Sequence, residues 1–263
     1  LFFSFLKKLY TFLSKLNLSI FNSYKSKCLV LAYHQIVDIK EEKLSAKDKF
    51  ISVTKQAFTE QMKLLKKTHK IVFISDINNS GFLDIDFHEK PLACITFDDG
   101  HISYMKYAVP IMKKLNIKST VYLISDIYLC NKEPNEWWKY VWEYSLKTNS
   151  MNFNFFGNFL SLDLNMKFKN KLLREVYFKS LNYIYERITK TQQEKLDNYL
   201  IKYKNNSSFC YLNKYNSAKM MDESLINIGS HSKSHRHLSK LSKNELNKEI
   251  VISKKELEKH FKK

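Results

Sequence analysis

Residues 92–124 read LACITFDDGHISYMKYAVPIMKKLNIKSTVYLI. Leu92–Phe97 is apolar at nearly every position, as a strand covered on both faces is. Ile102–Leu115 has helical spacing, and Pro110 predicts a kink or break within it. Ser119–Ile124 (STVYLI) is a second strand. Strand, helix and strand in this order form a crossover unit, the connection that parallel strands require.

The same alternation extends outward. Cys28–His34 (CLVLAYH) and Lys70–Ser75 (KIVFIS) precede it as strands, and Leu225–Gly229 (LINIG) follows. Residues 54–67 carry Phe58, Met62 and Leu65 on one helical face. About five such strands predict an α/β fold, a parallel sheet covered by helices, as a barrel or a doubly wound sheet. The pattern breaks over about 145–220, which reads as an insertion. Gly157-Asn158 predicts a hairpin within Phe153–Leu162, and lysine-rich helices are expected at about 165–186 and 190–203. A long charged helix is expected over Lys243–Phe261. Residues 26–263 thus form one domain, preceded by a separate segment at 1–25.

That segment begins LFFSFLKKLYTFLSKLNLSIF. Its apolar residues follow helical spacing, while Lys7, Lys8 and Lys15 interrupt the run well short of a membrane span. A basic amphipathic helix of this kind lies on a membrane surface or packs on the domain's own core.

Lys and Arg number 44 against 26 Asp and Glu in 263 residues, a net charge of +18. Only Arg174, Arg187 and Arg236 are arginines, so bidentate reading of base edges, and with it a specific nucleic-acid partner, is not expected. The lysines suit diffuse attraction to anionic surfaces, or simply a lysine-rich composition. Gly (4) and Pro (3) are too scarce for collagen-like or linker-rich architectures. Cys28, Cys94, Cys130 and Cys210 have no CxxC spacing, which excludes a disulfide framework and a zinc ribbon; all four are expected to be buried thiols.

Two segments carry chemistry. Asp98 and Asp99 follow a hydrophobic strand in Thr96–Gly100 (TFDDG), and strand ends are where α/β folds build sites. The bland alternative is a solvated turn, for which Asp-Asp-Gly is good chemistry. His231 and His235 lie in Gly229–His235 (GSHSKSH), a spacing that places two imidazoles on one side of a helical turn. Alone that spacing is weak; with a carboxylate it makes a three-donor set with open positions for water, and leaves a second carboxylate to act as base. Two of the scarce glycines, Gly100 and Gly229, abut these segments, where close approach or positive φ is expected.

TFDDG followed by HSKSH resembles the polysaccharide deacetylase family, the NodB-homology, carbohydrate esterase 4 group. Leu31–Val37 (LAYHQIV) resembles its first-strand YHxV segment, Pro110–Leu123 its next helix and strand, and His237–Ser242 the stretch after the histidines. The resemblance implies a distorted (β/α) barrel and a metal-dependent hydrolase that removes acetyl groups from an N-acetylated polysaccharide or glycan of the N-acetylglucosamine type. It implies Asp98 as general base and Asp99, His231 and His235 as ligands of a divalent metal, usually Zn2+. A bacterial, membrane-associated or extracytoplasmic place at the cell envelope follows as an expectation. Tyr33, His34 and His101 are expected to line the substrate groove. Trp137, Trp138 and Trp142 are read as core by their helical spacing, and His69, His88, His237 and His260 as surface histidines. The family's later motifs, a base-orienting arginine, an aromatic segment and a late histidine acid, have no counterpart in this chain. The domain is therefore expected to be C-terminally incomplete, with an inactive module that binds glycan or a membrane surface as the alternative.

Overall fold

The computed structural model describes residues 28–39, 51–80, 90–132, 150–151, 166–167, 189, 191–193, 195, 198, 210–217, 224–236 and 238–262. The expected N-terminal helix, the hairpin at 153–162, the three tryptophans, His88 and His237 lie outside these residues. In chain order the elements are β1 (Leu29–Tyr33), β2 (Gln35–Val37), β3 (Ser52–Thr54), α1 (Lys55–Thr68), β4 (Lys70–Ile71), α2 (Ile74–Ser80), β5 (Leu92–Phe97), α3 (Val109–Leu115), β6 (Ser119–Leu123), α4 (Ser125–Cys130), β7 (Ser150–Met151), β8 (Met166–Lys167), β9 (Ile226–Ser230), α5 (Lys243–Leu246) and α6 (Ser253–Phe261). Tyr104–Ala108 and Asn247–Ile252 are wound with wider, π-type turns ahead of α3 and α6. Two compact units emerge: Leu1–Glu42, Ser52–Tyr122 and Ser217–Gly229 form one, and Lys43–Ile51, Leu123–Asn216 and Ser230–Lys263 the other.

The first unit is built on a five-stranded sheet of order β1-β5-β6-β9, with β4 also on β5. All three pairings that β5 makes are parallel. β1 runs along one edge from Leu29↔Ala93 to Tyr33↔Phe97. The other edge is shared, by β4 at Leu92 and Ala93 and by β6 at Thr96 and Phe97. Ala93 to Phe97 are all buried, as the unbroken apolar run predicts. The α/β class with a parallel sheet is thus observed, and among the described residues the path from β1 to β9 does not close on itself.

One face of this unit is aromatic. Tyr33 and Phe97 stack at 5.3 Å, Phe58 meets Tyr33 edge-on at 5.2 Å, and Tyr104 lies 4.7 Å from Phe97. Phe58, Met62 and Leu65 come from α1, whose start is fixed by the Thr54 hydroxyl accepting from the Ala57 N–H. The side-chain spacing of four and three residues is what brings these three to the sheet.

Several predicted elements differ. Lys70–Ser75 is a strand for two residues only; helix α2 starts at Ile74, because the Asp76 carboxylate accepts from the Phe73 N–H and caps the turn. Pro110 sits in the first turn of α3, where no N–H is needed. The preceding π-wound stretch absorbs its ring, so the chain widens there rather than breaking. Met166–Lys167 pairs antiparallel with Ser150–Met151, so the helix expected from 165 is not helical at that point. The expectation of buried thiols holds for Cys94 alone; Cys28 and Cys210 are half-buried and Cys130 is exposed, and none of the four is in a disulfide. His69 is half-buried rather than on the surface, and burial pulls its imidazole below the usual range.

Gly229 in β9 faces the ring of Tyr122 in β6: a Cβ built there would lie 2.4 Å from two ring carbons. The expected close approach is therefore real, and it is side-chain packing rather than backbone conformation that demands glycine. Gly229→Ala is expected to cost about 1–3 kcal/mol, read as a shift of the urea midpoint at unchanged m-value.

Candidate active site

In the first unit the ladder between β1 and β5 continues one residue past β5, where the Asp98 N–H donates to the Tyr33 carbonyl at 2.8 Å. The chain then turns sharply. Asp99 and Gly100 adopt positive φ (66° and 68°), and the Gly100 N–H returns to the Asp98 carbonyl at 2.8 Å. Asp is among the few side chains that tolerate this region, and Gly takes it freely. The turn expected at Gly100 is present, and it leaves Asp98 and Asp99 half-buried at the end of a buried strand.

Around Asp98 stand groups from neighbouring strands. The His34 Nε2 lies 3.9 Å from the Asp98 Oδ2, beyond hydrogen-bond range. Burial, then the Asp98 charge, pushes the Tyr122 phenol above its usual range. Sequence reasoning passed over Tyr122; its place one residue past the β5–β6 pairing, as Asp98 is one residue past it on β5, is the signal that would have found it. His101 is fixed by Ser103, whose N–H donates to the His101 Nδ1 at 3.2 Å, with the Ser103 hydroxyl at 2.8 Å from the same atom. Where the Nδ1 accepts in this way, the hydrogen of the neutral imidazole sits on Nε2. Ser103 is itself held by the Ile36 N–H at 3.0 Å.

Tyr33 departs from expectation. It is 6% exposed and enclosed by Phe58 and Phe97, its phenol pushed up to about 12 by burial. Its hydroxyl donates to the Gln61 Oε1 at 2.9 Å. This is a core residue with a satisfied polar tip, because alternate residues of β1 point to the covered face. Tyr33→Phe is expected to cost about 0.5–1.5 kcal/mol in a denaturation experiment and to leave catalysis unchanged.

In the second unit, residues 231–235 are neither helix nor strand, which corrects the helical turn expected for the His-x3-His spacing. Ser232 and His235 adopt positive φ (67° and 59°), and the Ser232 hydroxyl accepts from the His235 N–H at 3.0 Å. The loop achieves what a helical turn would: the His231 and His235 rings lie 5.1 Å apart, inclined by 34°. Backbone bonds tie it to the start of α4: His231 N–H to the Leu123 carbonyl, Ser125 N–H to that of Ser232 and Asp126 N–H to that of Lys233. His231 is half-buried and His235 exposed.

Lys233, between the two histidines, turns into an ion cluster. Its Nζ lies 2.7 Å from the Glu256 Oε1 and 3.1 Å from the Asp126 Oδ1, and Lys132 holds the other Asp126 oxygen at 2.7 Å. Burial alone would raise the Asp126 carboxyl; hydrogen bonds from Lys132 and Lys233 outweigh it and hold the group below its usual 3.8. Burial alone would lower Lys233; bonds to Glu256 and Asp126 outweigh that and raise it above 10.5. The lowered acid stabilises the fold fully above pH 3.8, and this is lost as pH falls through its folded value. The raised amine stabilises fully below pH 10.5, and this is lost as pH rises through its folded value. The contribution is therefore flat between about pH 4 and 10 and falls on both sides. Denaturant midpoints against pH are expected to show the alkaline fall in the native chain and a weaker one in Lys233→Met.

The donor set supplied by the two motifs, the Asp99 carboxylate with the His231 and His235 imidazoles, suits a divalent metal ion. Two imidazoles and one carboxylate are nitrogen and oxygen donors of the kind that hold zinc while leaving a position for water.

Residues 178–263, which contain both histidines, match the family model described as polysaccharide deacetylase. The resemblance to that family is thus borne out over the segment that holds HSKSH, while TFDDG lies ahead of the matched residues. No curated protein matches the chain. Similar solved structures include the Streptococcus pyogenes deacetylase PplD in complex with acetate (15% identity, TM-score 0.47, covering 90% of this chain and 70% of that one). A polysaccharide deacetylase from Bacillus cereus is also similar (19%, 0.48, 89% and 47%), as is a de-N-acetylase from Aggregatibacter actinomycetemcomitans (17%, 0.45, 90% and 76%). The chain thus spans about half the length of the Bacillus protein.

Proposed function

We propose that this chain carries the metal-dependent site of a hydrolase that removes acetyl groups from an N-acetylated polysaccharide or glycan. The observation that carries the reading is the family match over the segment holding HSKSH, in a chain whose other motif, TFDDG, ends a buried parallel strand. Asp99, His231 and His235 hold the metal, with Zn2+ as the proposed ion. When bound, the ion supplies Lewis-acid polarisation of the acetamide carbonyl. Asp98 takes a proton from the attacking water as the new carbon–oxygen bond forms. The carbon–nitrogen bond then breaks as that proton passes to the sugar nitrogen, which leaves as an amine with acetate as the second product. His34 and His101 flank the substrate. The basic amphipathic stretch at 1–21 supports a location at the surface of a bacterial envelope membrane. Among the described residues no helix is long and apolar enough to cross a membrane.

The test is metal content by plasma mass spectrometry beside acetate release from N-acetylglucosamine oligomers. One equivalent of zinc is expected in the native chain and none in Asp99→Ala or His231→Ala, with activity lost in both. Asp98→Asn is expected to keep its zinc while losing about 10²-fold or more in rate. Unchanged metal content in both ligand variants would overturn the assignment.

A further inference from the structure

We propose that Glu249 is a positioning residue that holds the loop between His231 and His235 in its metal-presenting form. The inference rests on the metal reading above and goes beyond it to a residue outside either motif.

Glu249 lies in the π-wound stretch Asn247–Ile252 and is 4% exposed. Burying a carboxylate is costly unless its oxygens are fully engaged. Here they are engaged entirely by the loop. The Glu249 Oε2 accepts from the Lys233 N–H at 3.0 Å and from the Ser234 N–H at 2.8 Å, and the Oε1 accepts from the Ser234 hydroxyl. The two residues it grips are those between Ser232 and His235, the two loop residues with positive φ. Neither is glycine, so this backbone form is unfavourable in an isolated chain and must be held from outside. Two successive N–H groups converging on one carboxylate fix the peptide planes on which the direction of the histidine side chains depends.

The same helix face supplies support on either side. The Ser253 hydroxyl lies 2.6 Å from that of Ser230, next to His231, and Glu256 takes the Lys233 ammonium. Residues 249, 253 and 256 are spaced by four and three, one stripe along the helix. Ser253 and Glu249 are buried and Glu256 half-buried. Of the three only Glu249 bonds the loop backbone through two of its N–H groups, so it controls the loop's shape rather than its attachment.

Zinc affinity of the folded protein, read by competition with a chromophoric chelator, separates this role from a purely structural one. Thermal unfolding in EDTA is measured beside it. Glu249→Gln keeps the size but removes the negative charge and replaces one of the two acceptor oxygens with an N–H donor. It is expected to stay folded in EDTA and to bind zinc about 10–100-fold more weakly, the range for groups that orient metal ligands. Ser234→Ala removes one of the three bonds at an exposed position and is expected to weaken zinc binding severalfold with its unfolding midpoint unchanged. A folded Glu249→Gln that binds zinc as tightly as the native chain overturns the proposal. If Glu249→Gln does not fold, native affinity in Ser234→Ala overturns it instead. A native chain that takes up no zinc at all is the separate failure of the metal reading, and this inference falls with it.

Discussion

A buried parallel strand has to find partners along both edges, and in this chain that requirement falls on Leu92–Phe97. No water is available to its peptide groups, so β1 must cover one edge and β4 and β6 must divide the other. The register that results carries the ladder one bond further, to Asp98, and leaves the turn at Asp99 and Gly100 immediately beyond it. The position of the acidic pair is therefore a consequence of sheet pairing. Moving the register by one residue would turn Phe97 out of the aromatic cluster and carry Asp98 to the other face of the sheet.

Where hydrophobic burial decides structure, the chain was legible. Leu92–Phe97 is apolar at all but one position and Ser119–Leu123 is rich in β-branched and apolar residues, as a covered strand is, and α1 shows its buried face as Phe58, Met62 and Leu65. Where a single polar contact decides, composition was misleading. Lys70–Ser75 is apolar enough for a strand, but Asp76 reaching back to the Phe73 N–H starts a helix inside it. Pro110 signals an irregularity correctly, and of the two outcomes expected the break does not occur: a wider turn precedes the ring and the helix continues. Met166–Lys167 belongs to a short antiparallel pair whose partner is not adjacent in the chain, information that periodicity does not contain.

The site divides in the same way. That Asp98 and Asp99 close a strand, and that His231 and His235 share one side of a turn, follows from residue type and spacing. How the histidines achieve it does not. The spacing suggests a helical turn, whereas the chain uses a loop with two strained residues and a hydroxyl bridge from Ser232. Tyr33 and His34 illustrate the limit of reading neighbours together. Adjacent strand residues point to opposite faces, so the tyrosine is enclosed by aromatic rings while the histidine approaches Asp98. Their juxtaposition in a motif says that one of them reaches the site, and the fold says which.

The closing helix shows why a charge count is a poor guide to role. Lys243–Phe261 reads as a long charged helix, and its lysines are exposed. Yet Glu249, Ser253 and Glu256 form a polar stripe turned toward the loop at 230–234. A periodicity search built on apolar residues cannot see such a stripe, since its members are polar and the partners that make burial affordable are backbone N–H groups and a lysine from a distant part of the chain. In a protein with 26 acidic against 44 basic residues, an exposed carboxylate has lysines on every side and little energetic reason to be anywhere in particular. A carboxylate that is buried and satisfied by backbone donors has one place it can be. Glu249 is specified by that second condition, which is why the loop it grips can hold a conformation its own residues disfavour.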